Sequence, residues 1–168
     1  MKRLYLLRHA KSSWKDPELE DFDRPLNKRG KRDAPFMGQR LRLANIRPDL
    51  IISSPAKRAG KTAKIIAAQI EYPVKEIQWR ESLYDAGTLT LLGILREIAD
   101  PVEQAMLVGH NPGLTLLAEF LTGEAVDNIP TSGVFAVDLA IESWNQTKEE
   151  CGIPVFFDFP KKHTVRLS

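Results

Sequence analysis

The sequence predicts an α/β layered fold. Short apolar, strand-like runs alternate with amphipathic helical stretches along most of the chain. Three of those runs end in a polar loop that leads straight into a helix, and no internal repeat, low-complexity tract or linker interrupts the alternation. The 168 residues suit one domain, 1–168, long enough to bury a core without disulfide staples.

Each element has its own signal. Residues 4–7 form a compact apolar run that stops at Arg8-His9. Asn27 can cap a helix running to about residue 43, with Ala34, Met37, Leu41 and Ala44 on its apolar stripe. Pro35 falls inside that stripe and predicts a kink or a later start. Residues 50–52 read as a second strand. Ser54-Pro55 marks a helix start, a capping hydroxyl followed by proline at the first helical position. That helix carries Ala59, Ala63, Ile66 and Ile70 and ends before Pro73. A short strand near 74–78 and a helix near 89–99 follow. Residues 105–108 compose a buried strand, and Asn111-Pro112 repeats the cap-then-proline signature ahead of a helix to about residue 121. Residues 134–139 and 155–159 alternate like strands.

Composition narrows the class. With 43% hydrophobic and 27% charged residues the chain reads as soluble and globular. A net charge of +2 does not demand nucleic acid as a partner, and no nucleic-acid motif is present. No apolar segment approaches the roughly 20 residues of a membrane span, and the N-terminal apolar run stops at Arg8, too early for a signal peptide. The single cysteine, Cys151, cannot form an internal disulfide, so the expected compartment is reducing and the location cytoplasmic.

The chemistry gathers in three loops: Arg8 to Trp14, Ser53 to Arg58, and Gly109 to Pro112. In open α/β sheets ligands bind beyond the carboxyl ends of the strands. If the three preceding strands are parallel neighbours, His9, His110, Arg8 and Arg58 converge there, beside helix N-termini that favour an anion. Taken singly, Arg58 could be a solvated helix residue and His110 a capping or core histidine. Charged groups at the end of a buried strand are nonetheless costly unless paired or used, and two of the chain's three histidines stand at such ends. The set suits a phosphate.

The pattern Leu7-Arg8-His9-Ala10, then Ser53-Ser54-Pro55 with Arg58 and Thr62-Ala63, then Gly109-His110-Asn111-Pro112-Gly113, resembles the histidine phosphatase superfamily. The short chain and Asp23-Arg24-Pro25-Leu26 resemble its SixA-type phosphohistidine phosphatases. The resemblance implies a three-layer α/β sandwich with a mixed, largely parallel sheet between helices. It implies His9 as the nucleophile that carries the phosphoryl group, Arg8 and Arg58 as its oxygen ligands and His110 as a donor to it. Glu81 resembles the position of the proton donor, with Asp85 as the nearest rival. Ser12, Arg24 and Asn111 are expected at the substrate, and no metal or other cofactor is expected. His9 must be neutral to attack, so its second nitrogen needs a fixing partner such as a backbone carbonyl. Lys28, Arg29, Lys31 and Arg32 read as a solvated helix face or as a steering patch for an acidic substrate; His163 reads as a surface residue.

The expected function is therefore metal-independent hydrolysis of a phosphoric monoester or phosphoramidate. The expected substrate is a phosphohistidine protein, because the stretch after Glu81 is too short for a capping insertion. The alternatives are a phosphomonoesterase for a sugar phosphate or nucleotide, and a non-catalytic phosphate-binding module.

Overall fold

A computed structural model of the chain describes residues 1–163. Its strands are β1 (Lys2–Arg8), β2 (Leu50–Ser53), β3 (Gln78–Trp79), β4 (Gln104–Gly109), β5 (Val134–Leu139) and β6 (Gly152–Asp158), and its helices are α1 (Lys28–Leu43), α2 (Lys57–Gln69), α3 (Thr88–Arg96) and α4 (Gly113–Thr122). The strands form one mixed sheet in the order β3-β2-β4-β1-β5-β6. The first four positions in that order are parallel, and β5 and β6 run antiparallel to their neighbours.

Strands buried on both faces read as continuous apolar runs because alternate side chains enter different cores. Leu4, Leu6, Ile52, Ala105 and Leu107 pack with Leu91, Leu95, Leu114 and Leu117 of α3 and α4. Tyr5, Leu7, Ile51, Met106 and Val108 pack with Met37, Ala59, Ala63 and Ile66 of α1 and α2. The result is three layers: α1 and α2, the sheet, and α3 with α4.

Helix starts are set locally. The Asn27 side chain accepts the Gly30 N–H at 2.8 Å and caps α1 as expected. The helix neither starts late nor stops at Pro35; it begins at Lys28 and runs through the proline. Ala44, expected on the buried stripe, is instead exposed at the helix end. Ser54-Pro55 also starts its helix later than expected. The Ser54 hydroxyl accepts from Ala56 N–H, Ala56 takes the cap position, and α2 begins at Lys57. The fourth helix is likewise shifted, by one residue: Pro112, not Asn111, takes the cap position and α4 begins at Gly113, although the Asn111 side chain accepts the Thr115 N–H at 3.2 Å. The strand expected near 74–78 shrinks to the two residues of β3 behind a 3-10 turn. His163 is half-buried rather than on the surface, with Nε2 2.5 Å from Asp158 Oδ1.

Two glycines let backbone approach backbone near the strand ends. A Cβ on Gly30 would stand 2.1 Å from the Lys11 carbonyl oxygen, and one on Gly113 2.3 Å from that of Ala86. The second contact holds the 84–87 segment against the start of α4. Gly113→Ala should therefore destabilise by about 1–3 kcal/mol. Gly93→Ala, at an exposed position in α3 where a Cβ meets nothing within 4 Å, should stabilise by up to ~1 kcal/mol through helix propensity. Urea midpoints at constant m-value measure both.

Candidate active site

Parallel register brings the three loops together. Arg8 pairs with Gly109 and Ser53 with Val108, so β1, β4 and β2 end at one level. The ladder continues one residue further, with His9 N–H donating to the Gly109 carbonyl and Ser54 N–H to that of Val108. His9 and His110 thus stand side by side, ring centroids 5.1 Å apart.

His9 is buried, and its Nδ1 lies 2.8 Å from the Ala10 carbonyl oxygen. A carbonyl only accepts, so Nδ1 carries the proton and Nε2 the lone pair. Arg58 Nε donates toward that Nε2 at 3.4 Å. Burial pushes the His9 pKa down to about 3, helped by His110, Arg58 and Arg8 and opposed by the Ala10 carbonyl. The imidazole is therefore neutral at physiological pH. Ala10 is itself fixed: its N–H donates to Thr62 Oγ1 at 2.9 Å, and the Thr62 hydroxyl donates to the Arg58 carbonyl at 2.7 Å. One chain of hydrogen bonds from α2 thereby sets the tautomer of His9.

Arg58 is buried, and its remaining donors reach Asp21, the carbonyl at 2.5 Å and Oδ2 at 2.8 Å. The Asp21 carboxylate also accepts from the Tyr84 hydroxyl and from Arg24. Tyr84 first, then the two arginines, hold Asp21 far below the usual carboxylate range. Arg24 is buried as well, donating to Ser12 Oγ at 2.5 Å and to the Ser13 carbonyl, with its guanidinium over the exposed Trp14 ring. Ser12 and Arg24 thus meet, joined to Arg58 through Asp21.

His110 Nε2 lies 2.8 Å from Ser54 Oγ. With the Ser54 hydroxyl donating to Nε2, Nδ1 carries the proton, and that atom is buried without a partner among the described residues. Burial, then Arg58, lowers the His110 pKa to about 4. Arg8 gives one donor to the Ile129 carbonyl, while its Nε is likewise buried and unpartnered among the described residues. Asn111 spends its side chain within the protein, donating to Asn128 and the Ile129 carbonyl and accepting from Thr115.

Arg58, His110, Asn111, Asp21, Tyr84 and Asp85 line an open cleft of about 300 Å³, and Arg8, His9, Ser12 and Arg24 lie outside its lining. Glu81 is not among its lining residues either; it sits exposed in a 3-10 turn, and its side chain makes no hydrogen bond among the described residues. Asp21, Thr62, Ser54 and Tyr84 are the site residues that sequence reasoning missed. Thr62 and Ser54 lay inside quoted motifs, and the i, i+4 spacing of Thr62 from Arg58 was a usable signal. Among the described residues no group of three or more His, Cys, Asp or Glu side chains is arranged to hold a metal.

Both histidines titrate near 3 and 4 in the folded chain against an ordinary 6.5, so the unfolded chain binds their protons first as pH falls. Their contribution is intact above about pH 6.5 and is lost progressively below it, on the order of a few kcal/mol by pH 4. In urea titrations, His9→Gln and His110→Gln should each flatten the fall in unfolding free energy between pH 6.5 and 4. An unchanged slope in the double variant would refute the buried neutral pair.

Known proteins resemble this chain in sequence and fold. Residues 4–86 match the profile of the histidine phosphatase superfamily, branch 1. The crystal structure of a protein assigned as the phosphohistidine phosphatase SixA of Agrobacterium tumefaciens is 31% identical, with a TM-score of 0.82 over 95% of this chain and 98% of that one. The protein histidine phosphatase SixA complexed with tungstate, at 21% identity, shares the fold with a TM-score of 0.79 over 96% of this chain and 99% of that one. An uncharacterised chloroplastic protein of Arabidopsis thaliana is 33% identical over 86% of this chain and 70% of its own length. Strand order, the convergence of Arg8, His9, Arg58 and His110, and end-to-end similarity agree: the chain belongs to the histidine phosphatase superfamily and is of the SixA type.

Proposed function

We propose that the chain is a phosphohistidine phosphatase that takes the phosphoryl group from a protein histidine onto its own His9. The observation that carries this reading is a neutral His9, its Nδ1 held by the Ala10 carbonyl so that Nε2 keeps the lone pair, beside two buried nitrogens without partners among the described residues: Arg8 Nε, a donor, and His110 Nδ1, a donor in the tautomer whose Nε2 accepts from Ser54. A phosphoryl group supplies acceptor oxygens for both, and such fixed donors act most strongly in a site already organised before charge develops.

In the proposed reaction the His9 Nε2 lone pair attacks phosphorus, forming a P–N bond. The bond to the substrate nitrogen breaks, and the departing imidazole takes a proton from solvent, which the water of the second step returns. Water then attacks phosphorus and the bond to Nε2 breaks. Inorganic phosphate leaves, and His9 returns to its neutral form. Two easier displacements replace one difficult hydrolysis. The chain supplies the nucleophile and the donors to phosphorus oxygens, and solvent supplies the water and the proton, which supports turnover without a metal. The open cleft supports a protein substrate, since only α3 and its turns separate Leu83 from β4 and no long insertion covers the site. The single cysteine and the absence, among the described residues, of a helix long and apolar enough to cross a membrane are compatible with a cytoplasmic setting.

Brief incubation with a labelled phosphoryl donor and an alkaline quench should leave acid-labile label on His9, and His9→Ala should abolish turnover with the fold intact. In a metal-free panel of phosphohistidine protein, phosphoserine peptide, sugar phosphates and nucleotides, the first should give the highest kcat/KM. Preference for a sugar phosphate or nucleotide would favour a small-molecule phosphomonoesterase. Binding of phosphate without turnover of any member would leave a binding module.

The proton donor is a second test. Asp85 lines the cleft, Glu81 does not, and the strongly acidic Asp21 is already ionised. An alkoxide leaves poorly and needs a positioned acid, whose loss costs 10²–10⁴-fold, about 3–5 kcal/mol. An imidazole leaves more readily. Asp85→Asn should therefore slow alkyl phosphate hydrolysis far more than phosphohistidine hydrolysis, while Glu81→Gln should change both little. A selective loss of ester hydrolysis in Glu81→Gln would restore Glu81 as the acid.

A further inference from the structure

Behind the segments that build the cleft runs a second groove of about 650 Å³. Lys31 of α1 and Lys57, Lys61 and Lys64 of α2 line it, and no carboxylate does. All four lysines are exposed, and among the described residues none forms a salt bridge, although nine arginines do. An uncompensated cluster of four positive charges is conspicuous in a chain whose formal net charge is only +2. We infer that this groove docks an extended acidic segment of the phosphoprotein substrate, an inference that rests on the proposed protein substrate.

Spacing selects the occupant. The α2 lysines stand at i, i+4 and i+7, on one helix face, with rises of about 6 and 4.5 Å. An extended chain sets every second side chain on one face about 6.6–6.8 Å apart. Alternate carboxylates can therefore meet successive lysines. A single phosphate asks instead for convergent donors or a planar guanidinium fork, and these four ammonium groups are spread along about 10 Å of helix and a neighbouring element.

Trp79 adds an apolar anchor. It is 42% exposed, Lys64 Nζ lies 5.7 Å from its ring centroid, and its ring packs against the bare Cα side of Gly60, where a Cβ would come within 3.3 Å. Chain continuity ties the groove to the catalytic cleft: Pro25 and Pro55, which also line it, directly follow Arg24 and Ser54, and Lys57 directly precedes Arg58. A protein whose phosphorylated side chain enters the cleft can lay its flank in the groove.

The test uses the full chain and Lys61→Glu/Lys64→Glu. A fluorescein-labelled, unphosphorylated Glu-Gly repeat peptide should bind the wild type at low salt, weaken as salt is added, and bind the variant at least about tenfold more weakly by anisotropy. With a phosphohistidine protein bearing an acidic flank, the variant should raise KM about tenfold and keep kcat; with free phosphohistidine both constants should stay unchanged. Equal peptide binding by the two proteins, or an unchanged KM for the acidic protein, overturns the proposal. So does an equal loss with free phosphohistidine, which would put these lysines in the catalytic cleft, and so does displacement of the peptide by ATP in preference to unlabelled peptide. The peptide arm needs no turnover. Lysine-dependent peptide binding by a wild type that hydrolyses nothing would therefore count against the phosphatase reading and in favour of the groove.

Discussion

The imidazole of His9 stays unprotonated although three cationic or potentially cationic side chains surround it, and the rest of the site is arranged around that constraint. Arg8, Arg58 and His110 all oppose a positive His9. Burial does more, because an apolar surrounding penalises the charged form. The opposing influence is the Ala10 carbonyl, which cannot be dispensed with because it fixes which nitrogen is free. The site therefore combines a bond that orients the ring with an environment that keeps it neutral. Asp21 offsets the positive charge on the other side, on Arg58 and Arg24, where a carboxylate does not reach His9 directly.

That local arrangement depends on the sheet. Only parallel neighbours with matched ends can bring three strand-to-helix loops to one level, and the pairing of Arg8 with Gly109 and of Ser53 with Val108 does so. The apolar runs that make β1, β2 and β4 are the same residues that fill both cores. Packing and the proposed chemistry are therefore only two residues apart: Leu7 is fully buried beneath α1 and α2, and His9 holds the phosphoryl group in the proposed reaction.

The sequence made Arg8, His9, Arg58 and His110 legible because each follows a run whose burial is obvious from composition. Asn27 was legible because a capping amide acts over three residues. Features that depend on distant atoms were not. Pro35 sits within α1 because the tertiary contacts of Ala34 and Met37 outweigh one lost backbone bond. β3 is two residues long because Val74–Glu76 wind into a 3-10 turn rather than extending along the four-residue β2, which no local pattern encodes. Asp21 gains its role from Tyr84, 63 positions away, and from Arg58, 37 away. Glu81 was singled out by its place along the chain, whereas what decides a role at the cleft is which way a short turn directs its side chains. The resemblance to a known family carried the assignment of roles further than spacing did; the hydrogen bonds of Thr62 and Ser54 supply the physical reason for residues that the motif merely contains.

The position of β1 has one more consequence. It is bonded to β4 on one side and β5 on the other, in the interior of the sheet. Opening it requires breaking two ladders at once, so its amides belong to the slowest-exchanging part of the chain. Arg8 and His9 are attached to that least-fluctuating element, whereas Asp21, Trp14 and Asp85 reach the site from exposed segments with few buried side chains. The pocket thus has one wall where sequence drift would disrupt folding and another where it would not. Substitutions on the outer wall, where under the proposed function the phosphorylated molecule would be selected, would leave the core that carries Arg8 and His9 in place.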